Sequence, residues 1–403
     1  MSIEVTRCTD EGDLRASMSS IWHYFGLPPT DEAVGNFAAL VGPDRAFVAR
    51  ESGALAGGCC SFPMEVTTPG GRVKAAGVTM VGVQPTHRRR GILSAMMRRQ
   101  LDNCRERGEP VAYLWASEER IYGRFGYGLT GLAADVEISR DRDEFFTKAP
   151  TVGRVRLVPL ADALAPARAI YAEVAAQRPG MFQRSDEWFK RRTLADAAWM
   201  RAGGGELVCA LLEIDGKPAA YALYRFDAKW ERNLPAGVVR VVEAMATTPD
   251  AMRAIWRYLL DLDWCATIKA GFLPVDHPLF LLMAEPRRMR AGLRDGCFGR
   301  LVDVEAALSA RAYGPGEIVV EIADAFCPWN AGRWLIGEGH ATRTERAADI
   351  SCDVSALASV YLGGFSWAQI AGASRAGAAS ADAIARADRV FERGGAPWVP
   401  EIF

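Results

Sequence analysis

The sequence has almost no net charge: 48 Lys and Arg against 49 Asp and Glu leave −1 at neutral pH. A balanced chain has no global attraction for nucleic acid or anionic lipid, so any basic function has to come from a local cluster. Histidine is scarce. His23, His87, His277 and His340 are the only four, none has a carboxylate or cysteine near it in sequence at ligand spacing, and all read as structural. The nine cysteines form no C-x-x-C pair and have no histidine at zinc-ligand spacing. No metal is expected, and scattered thiols in odd number fit a reducing compartment. No apolar run reaches eighteen residues, and the opening Met1-Ser2-Ile3-Glu4-Val5 lacks a basic stretch followed by an apolar one. Secretion and membrane spanning are not expected, and the chain reads as cytoplasmic.

What is present suits a folded enzyme. At 403 residues the chain exceeds one hydrophobic core, which implies two or three domains, and half of its residues are apolar. Periodicity predicts helices over 13–24 and 31–40, strands over 46–51 and 55–66 joined at Ser52-Gly53, and a buried-type strand over 75–84 closed by Pro85. Ile92, Leu93, Met96, Met97, Leu101 and Cys104 then recur at helical spacing, and Gly108 can stop that helix. A strand over 111–116 and a short helix that Ser117 could cap complete an α/β unit. After a polar passage over 141–153 that reads as a linker, the pattern returns in outline to about residue 270, as a second, diverged copy. The remainder reads as α+β. The expected domains are 1–140, 154–285 and 290–403.

One segment stands out: Val81-Gly82-Val83-Gln84-Pro85-Thr86-His87-Arg88-Arg89-Arg90-Gly91-Ile92-Leu93-Ser94. It joins the buried strand to an amphipathic helix. A helix start leaves its first N–H groups unpaired and carries partial positive charge, so a diphosphate is a natural ligand there. Gly91 allows close approach to the main chain, and the arginines add fixed charge, although only one or two can face the ligand. The run is neither a G-x-G-x-x-G fingerprint nor a Walker loop. An isolated R-x-x-G is far more often a basic surface turn; its place between a buried-type strand and an amphipathic helix reverses that and favours the anion site.

The R-x-x-G loop in this setting resembles the acetyl-CoA loop of the GNAT superfamily of N-acetyltransferases. More narrowly, Pro85 to Gly91, Ala116-Ser117-Glu118, and Ile121-Tyr122-Gly123-Arg124-Phe125-Gly126-Tyr127-Gly128 look like the mycobacterial enhanced intracellular survival (Eis) family of aminoglycoside acetyltransferases. The resemblance spans the chain. It implies two tandem GNAT-type domains of mixed central sheets with flanking helices, the second degenerate, then an α+β sterol-carrier-like domain. It further implies acetyl-CoA as cosubstrate, small-molecule amines or protein lysines as acceptors, and a homo-hexamer built as a dimer of trimers.

Residue roles carry over from the same resemblance. The main chain of Val81 and Val83 would face pantetheine and polarise the thioester carbonyl. Arg88, Arg89, Gly91, Ile92 and Leu93 would contact the diphosphate, with Ser117 near the other end of the cofactor. Tyr122 matches the general acid; Tyr127 reads as a core tyrosine. The carboxylate of Phe403, at the end of the apolar, Pro-stiffened run Ala396 to Phe403, matches the base. Glu401 is a candidate second negative charge, although Ile402 separates it from Phe403, whereas the family places its acid next to the terminal Phe. Trp22, Tyr24, Phe25, Phe37 and Met80 are candidate walls of the acceptor pocket, with core packing as their alternative. The acid expected in the early loop falls near Leu27, with Asp31 and Glu32 the nearest carboxylates, so a less acidic pocket is expected. In the second unit Thr247-Thr248-Pro249-Asp250 stands where a cofactor loop would be, without Gly and with an acid that repels phosphate. The rival readings are a long-chain acyltransferase of the N-myristoyltransferase type and a non-catalytic lipid or CoA carrier. Three arginines at one turn give little support to nucleic-acid binding.

Overall fold

The computed structural model describes residues 3–403 except 27, 149, 151, 202, 338 and 393, and only the main chain of Phe25 and Trp199. Two compact units emerge. One holds residues 1–131, 297–394 and 402–403, and the other holds 132–296 and 395–401.

The chain opens with β1 (Ile3–Arg7), a short and largely exposed strand unforeseen in the sequence. Helix α1 (Glu11–Trp22) follows, capped by the Asp10 side chain, which accepts from the Asp13 amide at 2.9 Å. Thr30 caps α2 (Asp31–Val41) in the same way, each side chain satisfying an orphan N–H of the first turn. Strands β2 (Ala46–Glu51), β3 (Ala54–Thr68) and β4 (Gly71–Val83) form an antiparallel meander. Helix α3 (Ile92–Glu106) then crosses to β5 (Val111–Leu114), which runs parallel to β4. With β6 (Gly128–Leu129) and β16 (Phe298–Leu301), these make a seven-stranded sheet of order β1-β2-β3-β4-β5-β16-β6.

Glycines let the layers close on this sheet. A Cβ on Gly58 would stand 2.4 Å from the Ser17 main chain of α1, and one on Gly82 would stand 2.8 Å from Ser20 and Ile21. Gly57, pointing the other way, meets Met96 of α3. The sheet is therefore covered by α1 and α2 on one face and by α3 on the other.

In the second unit β7 (Leu132–Ser139), β8 (Arg154–Val158), β9 (Leu207–Ile214), β10 (Lys217–Asp227), β13 (Gly237–Ala246), β14 (Cys265–Pro274) and β15 (Gly292–Asp295) build another seven-stranded sheet, with a small β11 (Trp230–Glu231) and β12 (Leu234–Pro235) ribbon apart from it. Helix Pro249–Leu260 links the parallel pair β13 and β14, as α3 links β4 and β5. In the C-terminal part of the first unit, β17 (Glu317–Ala323), β18 (Gly332–Gly337), β19 (His340–Arg343), β20 (Ile350–Asp353) and β21 (Ala376–Ala378) form a five-stranded sheet. Helices Val354–Tyr361 and Ala381–Val390 accompany it.

Four expectations need correction. Residues 132–139, placed in the first domain, pair in the second sheet with β14 and β15. Residues 298–301, placed in the third, pair with β5 and β6 of the first sheet. The passage 141–153 is not a free linker: Phe145 is buried and bridges to Met283, and Asp143 pairs with Arg257. After β5 there is no helix capped by Ser117, only single turns over Glu119–Ile121 and Gly123–Phe125. In the first two cases backbone hydrogen bonds to sequence-distant strands decide the outcome, which local periodicity cannot register.

Candidate active site

Strand β4 is the axis of the site. It pairs with β5 only through Ala75, Ala76 and Gly77, so from Val78 onward its edge on that side is open. On its other side the pairing skips a residue: Cys60 opposes Thr79 and Gly58 opposes Gly82. This bulge holds Met80 at φ 52°, a left-handed conformation rare for a side-chain-bearing residue. The Gln84 amide donates to Ala56 on β3 at 2.9 Å. Because a trans peptide sets its N–H and C=O in opposite directions, the Val83 carbonyl points away from β3, toward the open edge. By strand alternation the main chain of Val81 faces the same way.

At the far end of the open edge lies the start of α3. Its N-cap is Gly91, at φ 84° and without a capping side chain, and a Cβ there would meet nothing within 4 Å. The amides of Ile92, Leu93 and Ser94 thus have no intrahelical partner, and among the described residues no side chain caps them. Ile92 itself is buried, so only its main chain is available there, while Leu93 is half-buried. The three arginines divide. Arg90 turns back to Glu51 at the end of β2 (2.6 Å), Arg88 lies over the Tyr24 ring (4.9 Å), and Arg89 is exposed at φ 61°. Contrary to the sequence reading, His87 has a carboxylate close by, with its Nε2 3.7 Å from Glu51. The corresponding helix of the second unit begins differently. Thr248 caps it by accepting from the Ala251 amide, and Asp250 stands in its first turn.

Phe403 and Tyr122 approach β4 from opposite faces. The Thr79 hydroxyl donates to the main-chain oxygen of Phe403 at 3.1 Å, and a Cβ on Gly77 would stand 3.2 Å from the Phe403 ring. Gly77 pairs with Phe62, which stacks on Phe37 of α2 at 5.4 Å, so Phe403 lies on the α1/α2 face. Ala76 and Val78, which point the other way, share a core cluster with Met97 and Leu101 of α3 and with Tyr122. Burial there pushes the Tyr122 phenol up to about 12. Tyr127, edge-on to it at 5.9 Å, is buried as expected, but its hydroxyl has no partner among the described residues.

The other candidates are scattered. Ser117 is exposed beyond β5, Trp22 and Met80 are half-buried, and Phe37 is buried. The indole N–H of Trp22 is without a partner among the described residues. Leu27 and the side chain of Phe25 lie outside the described residues. Asp31 pairs with Arg15. Glu401 is not a free second charge: in the second unit it ion-pairs with Arg184 (2.7 Å), accepts from the Trp188 indole (2.8 Å) and stands 3.8 Å from Arg192. Glu51, Thr79 and the Tyr24–Val83 contact were not among the sequence candidates. Glu51 and Thr79 carry no local signature, and Tyr24 stood only as a pocket wall.

An open strand edge leading to an uncapped, electropositive helix start suits a ligand with an extended amide-bearing arm and a diphosphate, which is the chemistry of a coenzyme A thioester. Fold and site together define an acyltransferase of the GNAT type. Residues 6–130 and 180–301 each match the family described as Acetyltransferase (GNAT) domain, and residues 304–400 match the Sterol carrier protein domain. The chain is 40% identical to an uncharacterised N-acetyltransferase of Streptomyces avermitilis, over 98% of this chain and 100% of that one. It is 35% identical to N-acetyltransferase Eis of Mycobacterium tuberculosis, over 89% and 90%. The crystal structure of Eis1 from Mycobacterium abscessus superposes with a TM-score of 0.86 at 33% identity, covering 100% of both chains. The chain belongs to the Eis-like family of GNAT N-acetyltransferases, with two GNAT domains and a sterol-carrier-like domain. Among the described residues, no helix is long and apolar enough to cross a membrane, and no group of three His, Cys, Asp or Glu could hold a metal ion.

Proposed function

We propose that this N-acetyltransferase acetylates primary amines of small molecules, aminoglycosides among them, with protein lysines as a variant. Acetyl-CoA, when bound, supplies the acetyl group as a thioester. Arg88, Arg89 and the amides at Gly91, Ile92 and Leu93 hold the diphosphate, and Ser117 borders the other end of the cofactor. The main chain of Val81 and Val83 orients the arm, and a preorganised N–H there meets the negative charge that develops on the carbonyl oxygen. Tyr122 gives its proton to the departing thiolate. Its raised pKa keeps it protonated at neutral pH, and the apolar surroundings responsible for that also make a neighbouring thiolate more basic than its usual value of about 8.5. The Phe403 carboxylate, oriented by Thr79, attracts the protonated acceptor. Once that acceptor has shed one proton to solvent, its free amine attacks the carbonyl carbon, and the carboxylate takes up the second proton as the C–N bond forms and the C–S bond breaks. Trp22, Phe37 and Met80 wall the acceptor side.

The observation that carries this reading is the approach of Phe403 and Tyr122 to one open strand edge from opposite faces, which suits a base at the amine and an acid at the sulfur. The position of the family's early-loop acid falls near Leu27, so the acceptor pocket is read as less acidic. Polycationic amines should therefore gain little over simple arylalkylamines. The same reading extends to a cytoplasmic homo-hexamer, a dimer of trimers, which light scattering would measure. The decisive experiment is thiol release across an amine panel, for the native chain and for one extended by a few residues beyond Phe403. Extension should abolish turnover and spare acetyl-CoA binding. Full turnover in the extended protein would remove Phe403 from the mechanism, and strong selectivity for kanamycin-type amines would refute the reading of a less acidic acceptor pocket.

A further inference from the structure

Tyr24 sits in the single turn His23–Phe25 after α1, and although 41% exposed it makes two directed contacts. Its hydroxyl donates to the Val83 carbonyl at 2.9 Å, and the Arg88 guanidinium lies 4.9 Å above its ring. Both partners are donor-side groups. The Val83 carbonyl is the outermost acceptor on the open edge of β4, and Arg88 is one of the two loop arginines not drawn off by Glu51.

We propose that Tyr24 is a positioning residue of the acetyl-donor site: its hydroxyl rests on the Val83 carbonyl, and its ring holds Arg88 in the arrangement that receives the diphosphate. An arginine on an exposed loop samples many rotamers, and ordering it on binding costs affinity. A π face beneath the guanidinium orders it beforehand without neutralising its charge, as a carboxylate would. The carbonyl oxygen has two lone pairs, so the Tyr24 hydroxyl can stay in place when an amide N–H of the arm arrives. Tyr24 thereby moves from the acceptor wall, where the sequence reading put it, to the donor side.

The inference rests on the donor-site reading above, and calorimetry with acetyl-CoA separates the two. If the native protein binds no acetyl-CoA, the donor-site reading fails and this inference with it. If it binds, Tyr24→Leu, of similar bulk but without a π face, should weaken acetyl-CoA about two- to fivefold, the worth of an exposed cation–π contact. Tyr24→Phe should keep that affinity within about twofold, because the ring under Arg88 remains. In steady state the KM for acetyl-CoA should rise with kcat and the amine KM unchanged, and Tyr24→Leu should add nothing in an Arg88→Ala background. Native affinity in Tyr24→Leu, or a shift in the amine KM instead, would overturn the proposal.

Discussion

Replacing Arg184 by Met would leave two carboxylates without their principal counter-charge. Arg184 holds Glu243 through two bonds of 2.9 and 2.7 Å and Glu401 at 2.7 Å, with side-chain exposures of 1%, 4% and 19%. Burial works against the guanidinium charge, but the Glu243 and Glu401 carboxylates outweigh it and hold its pKa above the usual arginine value. Without Arg184, Glu243 keeps the Tyr221 hydroxyl at 2.5 Å, and Glu401 keeps Trp188 and the more distant Arg192. Breaking a buried pair from one side costs about 3–5 kcal/mol. For a unit of this size each kcal/mol moves the melting midpoint about 2–4 °C, so the transition of the second unit should fall by roughly 6–20 °C. Scanning calorimetry of Arg184→Met beside Arg184→Met/Glu243→Gln measures the effect. The double variant should recover part of the loss, because one of the two stranded charges is gone. A midpoint within about 2 °C of native, or no recovery in the double variant, would refute the reasoning.

Two predictions concern the chemistry. Tyr122→Phe removes the proton donor and keeps the packing against Tyr127, so kcat should fall about 10²- to 10⁴-fold with acetyl-CoA affinity retained; because burial puts the native phenol at about 12, the native pH–rate profile should show no alkaline loss from this group below about pH 11. A drop of less than about tenfold would exclude Tyr122 as the acid. Gly91→Ala places a methyl where the protein has no neighbour within 4 Å, in a conformation that costs an L-residue about 1–2 kcal/mol. Acetyl-CoA affinity measured by calorimetry should fall at least tenfold while the fold persists, and unchanged affinity would show that the diphosphate does not approach this amide.

The capped helices, the α3 stripe and the R-x-x-G loop were legible because each is written within a few consecutive residues. Thr30 announces α2 from one position away, and Gly91 stands directly at the α3 start. Edge strands with weak alternation were not: β1 is short and mostly exposed, and β7 owes its place to partners more than a hundred residues later. The same division runs through the site. The sequence by itself determined the uncapped helix start, the arginine run and the phenol that follows β5, since local backbone geometry needs only neighbours in the chain. Tertiary structure alone decided which arginine stays available, which face Phe403 takes, and where Glu401 is spent. Those outcomes turn on Glu51, Thr79 and Arg184, residues 39, 324 and 217 positions from their partners. A charge or hydroxyl acquires its role only when folding brings it within hydrogen-bond range, and separation along the chain carries no record of that distance.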